Sequence, residues 1–293
     1  MPAIDEVLGL PAGAVIEIAQ KDPKLFRDMQ RIVGRAERER RGADRETYEL
    51  NLLAFLERAW REIDPSPFQY NWHHAAICGE LEALARGEYR DLLVNQPPRT
   101  GKSILISVCF PAWIWAQQQD DEFPLMGPQV SFLCVSYGAT LAEVAALKMM
   151  RLVAGEWYQS LWGDRVRIRP DQASRADFGN FAGGERISNS IEGGILGRGG
   201  LCQLIDDPHK IDQVESEVER ERTIRAMKES LPSRVTDPRI SARILVMQRL
   251  HEMDATAYAR DNWPIDTRRW VMFPMRFDEQ RACEFDTHTV HAL

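Results

Sequence analysis

The chain has 293 residues, enough for one large α/β domain or two small ones, and 44% of them are hydrophobic, enough to fill a sizeable core. A net charge of −7 argues against a stand-alone nucleic-acid binder, which would carry a basic balance, though a local basic strip stays open. No apolar run reaches the eighteen or so residues of a membrane span, no secretory signal heads the chain, and the five scattered cysteines match neither a zinc site nor a disulfide framework.

Residues 1–20 read as a short leader with one helix. The arginine-rich stretch 21–45 is either a solvated helix laced with i,i+4 ion pairs or a contact for DNA or a partner chain. Over 44–62, Tyr48, Leu52, Phe55, Leu56 and Ala59 fall on one helical stripe. "DPSPFQ" at 64–69 breaks the pattern and marks a boundary, and 72–86 predicts another amphipathic helix ending near Gly87.

Then the rhythm changes. Strands are predicted at 91–95, 130–136, 186–190, 201–206, 242–248 and 269–274. Helices are predicted at 103–117 (kinked at Pro111), 139–154 and 215–230. Short apolar strands alternating with helices imply a mostly parallel sheet covered on both faces, with ligands bound beyond the carboxyl ends of its strands.

"NQPPRTGKS" (95–103) stands at one such end. It closes like a phosphate-binding loop, in Gly101-Lys102-Ser103, between a strand and a helix. Consecutive backbone N–H groups and a helix N-terminus would cradle phosphate, Lys102 would reach its oxygens, and the Ser103 hydroxyl would go to Mg²⁺. Lys102 is expected to lie exposed in the loop. The usual first glycine is replaced by Gln96, so that residue must avoid positive φ, and Pro97 and Pro98 can hold φ near −65° without a glycine. Arg99 adds a cation, and Thr100 completes the loop.

"LCQLIDDPHK" (201–210) is the complementary piece, an apolar strand ending in two carboxylates. Asp206 would hold Mg²⁺, and Asp207 would orient or deprotonate the attacking water; alone, a D-D pair is equally a turn or a helix cap. The glycine-rich stretch 190–200 carries Arg198, which suits charge developing on a γ-phosphoryl group, in its own site or a neighbour's. Gln248 ends the 242–248 strand where a polar residue would touch the γ-phosphate. Arg249 and His251 follow it, and a structural role for His251 stays open.

P-P-R-x-G-K-S, G-G-I-x-G-R-G, I-D-D-P and R-x-H-E-x-D, in that order over about residues 65–275, resemble the large terminase subunit of tailed bacteriophages. The resemblance implies a P-loop NTPase domain of the RecA-like kind over 65–280, an N-terminal helical extension over 1–64, and over 281–293 a tail or the start of a linker to a nuclease domain. It implies an ATP- and Mg²⁺-dependent motor that pumps double-stranded DNA into a preformed capsid. Its partners would be a portal protein, a small terminase subunit and further copies in a ring, docked on the procapsid in the host cytoplasm, away from membranes. A glycine missing at Gln96 is normal for these loops. By the same resemblance Trp72 and His73 fall near the base, Asp206 is the Walker B aspartate and Asp207 stands where many members have a catalytic glutamate. Arg198 would reach the neighbouring subunit's nucleotide, and Gln248 replaces the Thr or Ser often found in the coupling motif. The family usually continues into a nuclease domain, for which "FDEQRACEFDTHTVHAL" is too short, so no nuclease activity is expected of this polypeptide. A helicase-like P-loop ATPase and a non-catalytic nucleotide-binding assembly module are the alternatives.

Overall fold

Six parallel strands, the central four largely apolar, and one short antiparallel edge strand build the sheet that organises the chain. The computed structural model describes residues 18, 21–191, 193, 199–272, 275–278 and 281–285. The chain divides into two compact units, Met1–Leu50 and Asn51–Leu293. In the first, helix α1 spans Pro23–Leu50 and carries i,i+4 pairs such as Arg35–Glu39 and Arg45–Glu49. The leader expected at 1–20 falls almost wholly outside the described residues.

The helix expected over 44–62 is in fact interrupted. Asn51 adopts an extended φ of −141° and its side chain accepts the Ala54 N–H, so a second helix, α2 (Leu52–Ile63), starts afresh. An asparagine in this role satisfies an N–H that the helix start would otherwise leave unpaired. The predicted stripe survives on the α2 side, where Leu52, Phe55, Leu56 and Ala59 are buried.

Helix α3 (Trp72–Ala85) leads into β1 (Asp91–Asn95). The helix after the 95–103 loop, α4 (102–116), has α-helical ends at Lys102–Ile104 and Phe110–Ala116 and a π-helical turn at Leu105–Cys109 between them. Pro111 is the second residue of the last segment, so the irregularity expected at the proline lies just before it. Then follow β2 (Phe132–Ser136), α5 (Ala139–Ala154), α6 (Glu156–Trp162), β3 (Phe178–Gly179), β4 (Glu185–Ser190) and β5 (Cys202–Asp206). Helix α7 (Glu217–Arg225), β6 (Ala242–Met247), α8 (Ala255–Asn262) and β7 (Arg268–Met272) complete the domain core.

The sheet has seven strands in the order β3-β4-β2-β5-β6-β1-β7, all pairs parallel except β3 with β4. One face packs Leu93, Val135, Ile205, Leu245 and Met247 against Met227, in the π-helical turn that follows α7, and against Ala255 and Ala259 of α8. Every residue of β1 and β2 is buried, so these strands are covered on both faces, which explains why they read as unbroken apolar runs rather than alternating ones. β6 lies between β1 and β5, with Asn95 opposite Met247 and Asp206 opposite Val246. Both chemical loops therefore leave the same rim of the sheet, side by side across one strand. A two-stranded antiparallel ribbon pairs β8 (Met275–Asp278) with β9 (Arg281–Phe285). No helix among the described residues is long and apolar enough to cross a membrane.

Candidate functional site

β6 positions both loops through its last carbonyls. Met247 O accepts the backbone N–H of Gln96 and the side-chain amide of Asn95, while Val246 O accepts the N–H of Asp207. Asn95 is fixed further by Thr256 Oγ1, 2.9 Å from its Nδ2, and by Trp270 Nε1, which donates to its Oδ1 over 2.8 Å. Sequence reading gave Asn95 no role beyond ending a strand.

Gln96 is buried and is not among the residues with positive φ, as its Cβ requires. The left-handed turns fall instead at Arg99 (φ 62°) and Gly101 (φ 80°), past the two prolines. Thr100 Oγ1 donates to Pro97 O and closes the loop on itself. A left-handed conformation at a residue with a side chain costs about 1 kcal/mol or more, so Arg99 is held there by its surroundings. Arg99 and Pro98 are exposed at the tip.

Gly101 passes beneath aromatic rings that sequence reading left out. A Cβ at position 101 would lie 3.5 Å from Trp60 and 3.5 Å from His74 Nε2. His73 and His74 both direct Nε2 at the Thr100 carbonyl, each over 3.2 Å. His74 Nδ1 accepts the Asn71 N–H, which places the ring's proton on Nε2, the donor to Thr100. Burial, and next the neighbouring His73, push the His74 pKa down to about 4; burial also lowers that of His73. Phe68 bridges Trp60 and His74, with ring centroids 5.3 and 5.0 Å away. His73, expected beside the site, thus touches the loop itself, and Trp72 opens the same helix. The available signal for His74 was the adjacent pair of histidines.

The two expected halves converge. Lys102 Nζ, from the start of α4, pairs with Asp207 at the end of β5. Ser103 Oγ donates to Asp206 Oδ1 over 3.1 Å, and Ser107 Oγ, one turn later, donates to Asp206 Oδ2 over 2.8 Å. The Lys102 side chain is 7% exposed, not exposed as the sequence suggested, because it folds back across the rim to Asp207 instead of projecting from the loop. Asp207 has φ 44°, a second strained side-chain-bearing residue, pinned by its N–H to Val246 O and by its C=O, which accepts the Tyr137 N–H. Burial, and then the charge of Asp207, raise the Asp206 pKa; Lys102 and the two serine hydroxyls oppose the rise. A carboxylate in that setting is stabilised by any further cation.

Gln248 lies where a cavity is lined also by Pro98, Tyr137, Asp207 and Leu250, so it does border the converged loops. Arg249 and His251 serve structure. Arg249 Nε pairs with Asp254 at 3.0 Å, and Asp254 caps α8 through the N–H groups of Thr256 and Ala257. The His251 N–H also faces Asp254, and His251 Nδ1 accepts the Met253 N–H. Arg198 lies outside the described residues. Cys78, Cys109, Cys134 and Cys202 are free and buried.

Among the described residues no group of three or more His, Cys, Asp or Glu is arranged to hold a metal ion. Mg²⁺ seldom uses such a group; it takes one or two carboxylates and completes its shell with water and substrate phosphates. Asp206 and Ser103, hard oxygen donors already within hydrogen-bond distance of each other, fit that description.

No family model matches the sequence, and no curated protein matches it. Among solved structures, the large terminase of bacteriophage HK97 is similar, with a TM-score of 0.48 and 16% identity. The match covers 73% of this chain and 40% of that one, so this chain spans about two fifths of the length of the terminase it matches.

Proposed function

We propose that the chain hydrolyses ATP with Mg²⁺ at the junction of the 95–103 loop and the end of β5. The observation that carries the reading is the convergence of Lys102 with Asp207 and of Ser103 with Asp206, residues more than a hundred positions apart in sequence. A chance Gly-Lys-Ser at a turn would have no reason to meet two strand-end carboxylates.

In this reading the triphosphate takes Lys102 from Asp207. The lysine exchanges one anionic partner for another, and the Asp207 carboxylate is left free to orient water for in-line attack. Thr100 and Gly101 hold the backbone of the loop against the phosphates while His73 and His74 brace the Thr100 carbonyl from behind. Ser103 and Asp206 would hold the metal, which would supply charge neutralisation on the phosphate oxygens. The Ser107 hydroxyl would keep Asp206 oriented independently of Ser103. Gln248 is poised beside Asp207 to register the terminal phosphate. Trp72 stands on the side assigned to the base, and Arg198 is assigned to the nucleotide of an adjacent copy.

The larger setting we propose is a terminase motor. A ring of copies on a portal protein would use this hydrolysis to drive double-stranded DNA into a procapsid, with a small terminase subunit as partner. The order of the four motifs supports this setting, and the P-loop character of 95–103 supports the enzyme. Phosphate release from ATP with Mg²⁺ tests the reading. Lys102→Ala is expected to lower turnover by at least about 10²–10³-fold, the loss typical when one preorganised charge donor is removed, while its melting curve stays cooperative. Unchanged turnover in a folded Lys102→Ala protein would remove the assignment.

A further inference from the structure

Beside the carboxylates, on the side away from the 95–101 loop, a cavity of about 200 Å³ opens between α4 and α5. Ser103, Ser107, Asp206 and Asp207 border it, yet none of residues 95–102 does. Its walls are largely apolar, from Ile104, Val108, Val144 and Leu204. Leu141 and Val144 on α5 also line it and are 45% and 46% exposed, so apolar surface continues out to solvent.

Two cations line the same cavity. Arg186, on β4, is fully buried. Its Nη1 donates to the Ser107 carbonyl over 2.7 Å and faces Met149 Sδ at 3.7 Å, both neutral acceptors. Its Nε and Nη2 are buried without a hydrogen-bond partner. Lys148, on α5, makes no ion pair among the described residues. The carboxylates at the cavity are engaged already, Asp206 by two serine hydroxyls and Asp207 by Lys102. The unpartnered groups are thus donors on permanently or normally charged cations. A guanidinium buried with two idle donor nitrogens is among the most expensive arrangements a fold can keep.

We propose that this cavity is a second binding site, which takes a small organic monoanion with an apolar body. The anionic head would take up the idle Nε and Nη2 of Arg186 once a small side-chain shift uncovers them, since both are closed to solvent; the fork matches a carboxylate in two parallel bonds, with Lys148 adding charge. The body would lie along the Ile104, Val108 and Leu204 wall. An apolar cavity of about 150 Å³ accommodates benzene, so this one suits a benzene-sized body bearing a carboxylate. Arg186 also holds the Ser107 carbonyl, within the π-helical turn whose hydroxyl reaches Asp206. Occupancy would therefore bear on the Asp206 side chain, and by linkage a metal–nucleotide complex there would bear equally on the anion.

Calorimetric titration of the full chain with benzoate, benzyl alcohol, benzylamine and inorganic phosphate tests this directly. Benzoate is expected to bind one per chain and at least about tenfold tighter than benzyl alcohol, the difference a charge-assisted hydrogen bond makes. Benzylamine should not bind. Lys148→Ala should weaken benzoate several-fold, Ala145→Trp should block it, and Arg186→Met should abolish it; where Arg186→Met fails to fold, the other two variants decide. Benzoate binding should persist in Lys102→Ala, so its failure is separate from any failure of the nucleotide reading. Equal affinity for benzyl alcohol and benzoate, benzoate binding indifferent to Lys148→Ala and Ala145→Trp, or phosphate binding tighter than benzoate at the same site would each overturn the proposal.

Discussion

Two cation–carboxylate pairs sit at the same rim of the sheet, and they are built differently. Arg249 and Asp254 are five residues apart, and Asp254 is wholly buried. Its Oδ2 accepts from Arg249 Nε and faces the N–H groups of Leu250 and His251; its Oδ1 accepts from Thr256 and Ala257. Both oxygens are fully used. Lys102 and Asp207 are joined across the fold, the aspartate is 31% exposed, and its backbone is held at a positive φ. This pair keeps access to solvent and exposes a partner that a ligand can displace. A satisfied carboxylate fastens a helix; one held under strain beside an open cavity is available for chemistry.

The comparison breaks most visibly at Asp207. Asp207→Asn is expected to lower ATP turnover by at least about 10²-fold and to leave the affinity for ATP–Mg²⁺ within a few-fold, as read by single-turnover kinetics and a binding titration. Asp206→Asn should instead raise the Mg²⁺ concentration needed for binding. Full hydrolysis by the Asp207→Asn chain would move the water-orienting role elsewhere.

Asp254→Ala should act on the other axis. It strips α8 of its cap and leaves several N–H groups unpaired, for a stability loss on the order of 3 kcal/mol in chemical denaturation. Nucleotide affinity per folded chain should be unchanged. A stable Asp254→Ala protein that had lost nucleotide binding would erase the distinction between the pairs.

The smallest expected effect is a slope with pH. His74 is held neutral in the folded chain, with its pKa lowered from 6.5 to about 4 chiefly by burial. The unfolded chain takes up a proton there first, so stability present above pH 6.5 is lost progressively as pH falls toward 4. His74→Gln should flatten that part of the denaturation profile. An unaltered profile would show that other groups carry it.

Much of this was legible in the chain. The 91–95 strand and the 139–154 helix match the observed bounds, because a run buried on two faces and a capless alanine-rich helix both declare themselves locally. The loop–carboxylate partnership was legible from the motif order. What was missed is either a local cap that periodicity does not register or a contact between distant residues. The break at Asn51 replaces a continuous stripe by a cap of modest energy, which periodicity does not register. Trp60 and Phe68 read as ordinary helix and boundary residues, and their approach to Gly101 arises only when the chain folds back. Lys102 looked exposed because no local signal reveals a partner 105 positions away. The π-helical turn that aims Ser107 at Asp206 has no sequence signature of its own. Arg186 had no role beyond opening the predicted 186–190 strand, and only its burial in the fold singles it out.

The central claim is that the Lys102 pair, and not the Arg249 pair, meets the nucleotide. Equilibrium titration of ATP with Mg²⁺ into Lys102→Ala and Arg249→Ala chains, each at a temperature where it is folded, tests it most directly. The account predicts that Arg249→Ala binds as the unaltered chain does and that Lys102→Ala binds at least about tenfold more weakly, the loss of one charge-assisted contact to phosphate. Equal affinity in the two variants, or the greater loss in Arg249→Ala, would contradict it.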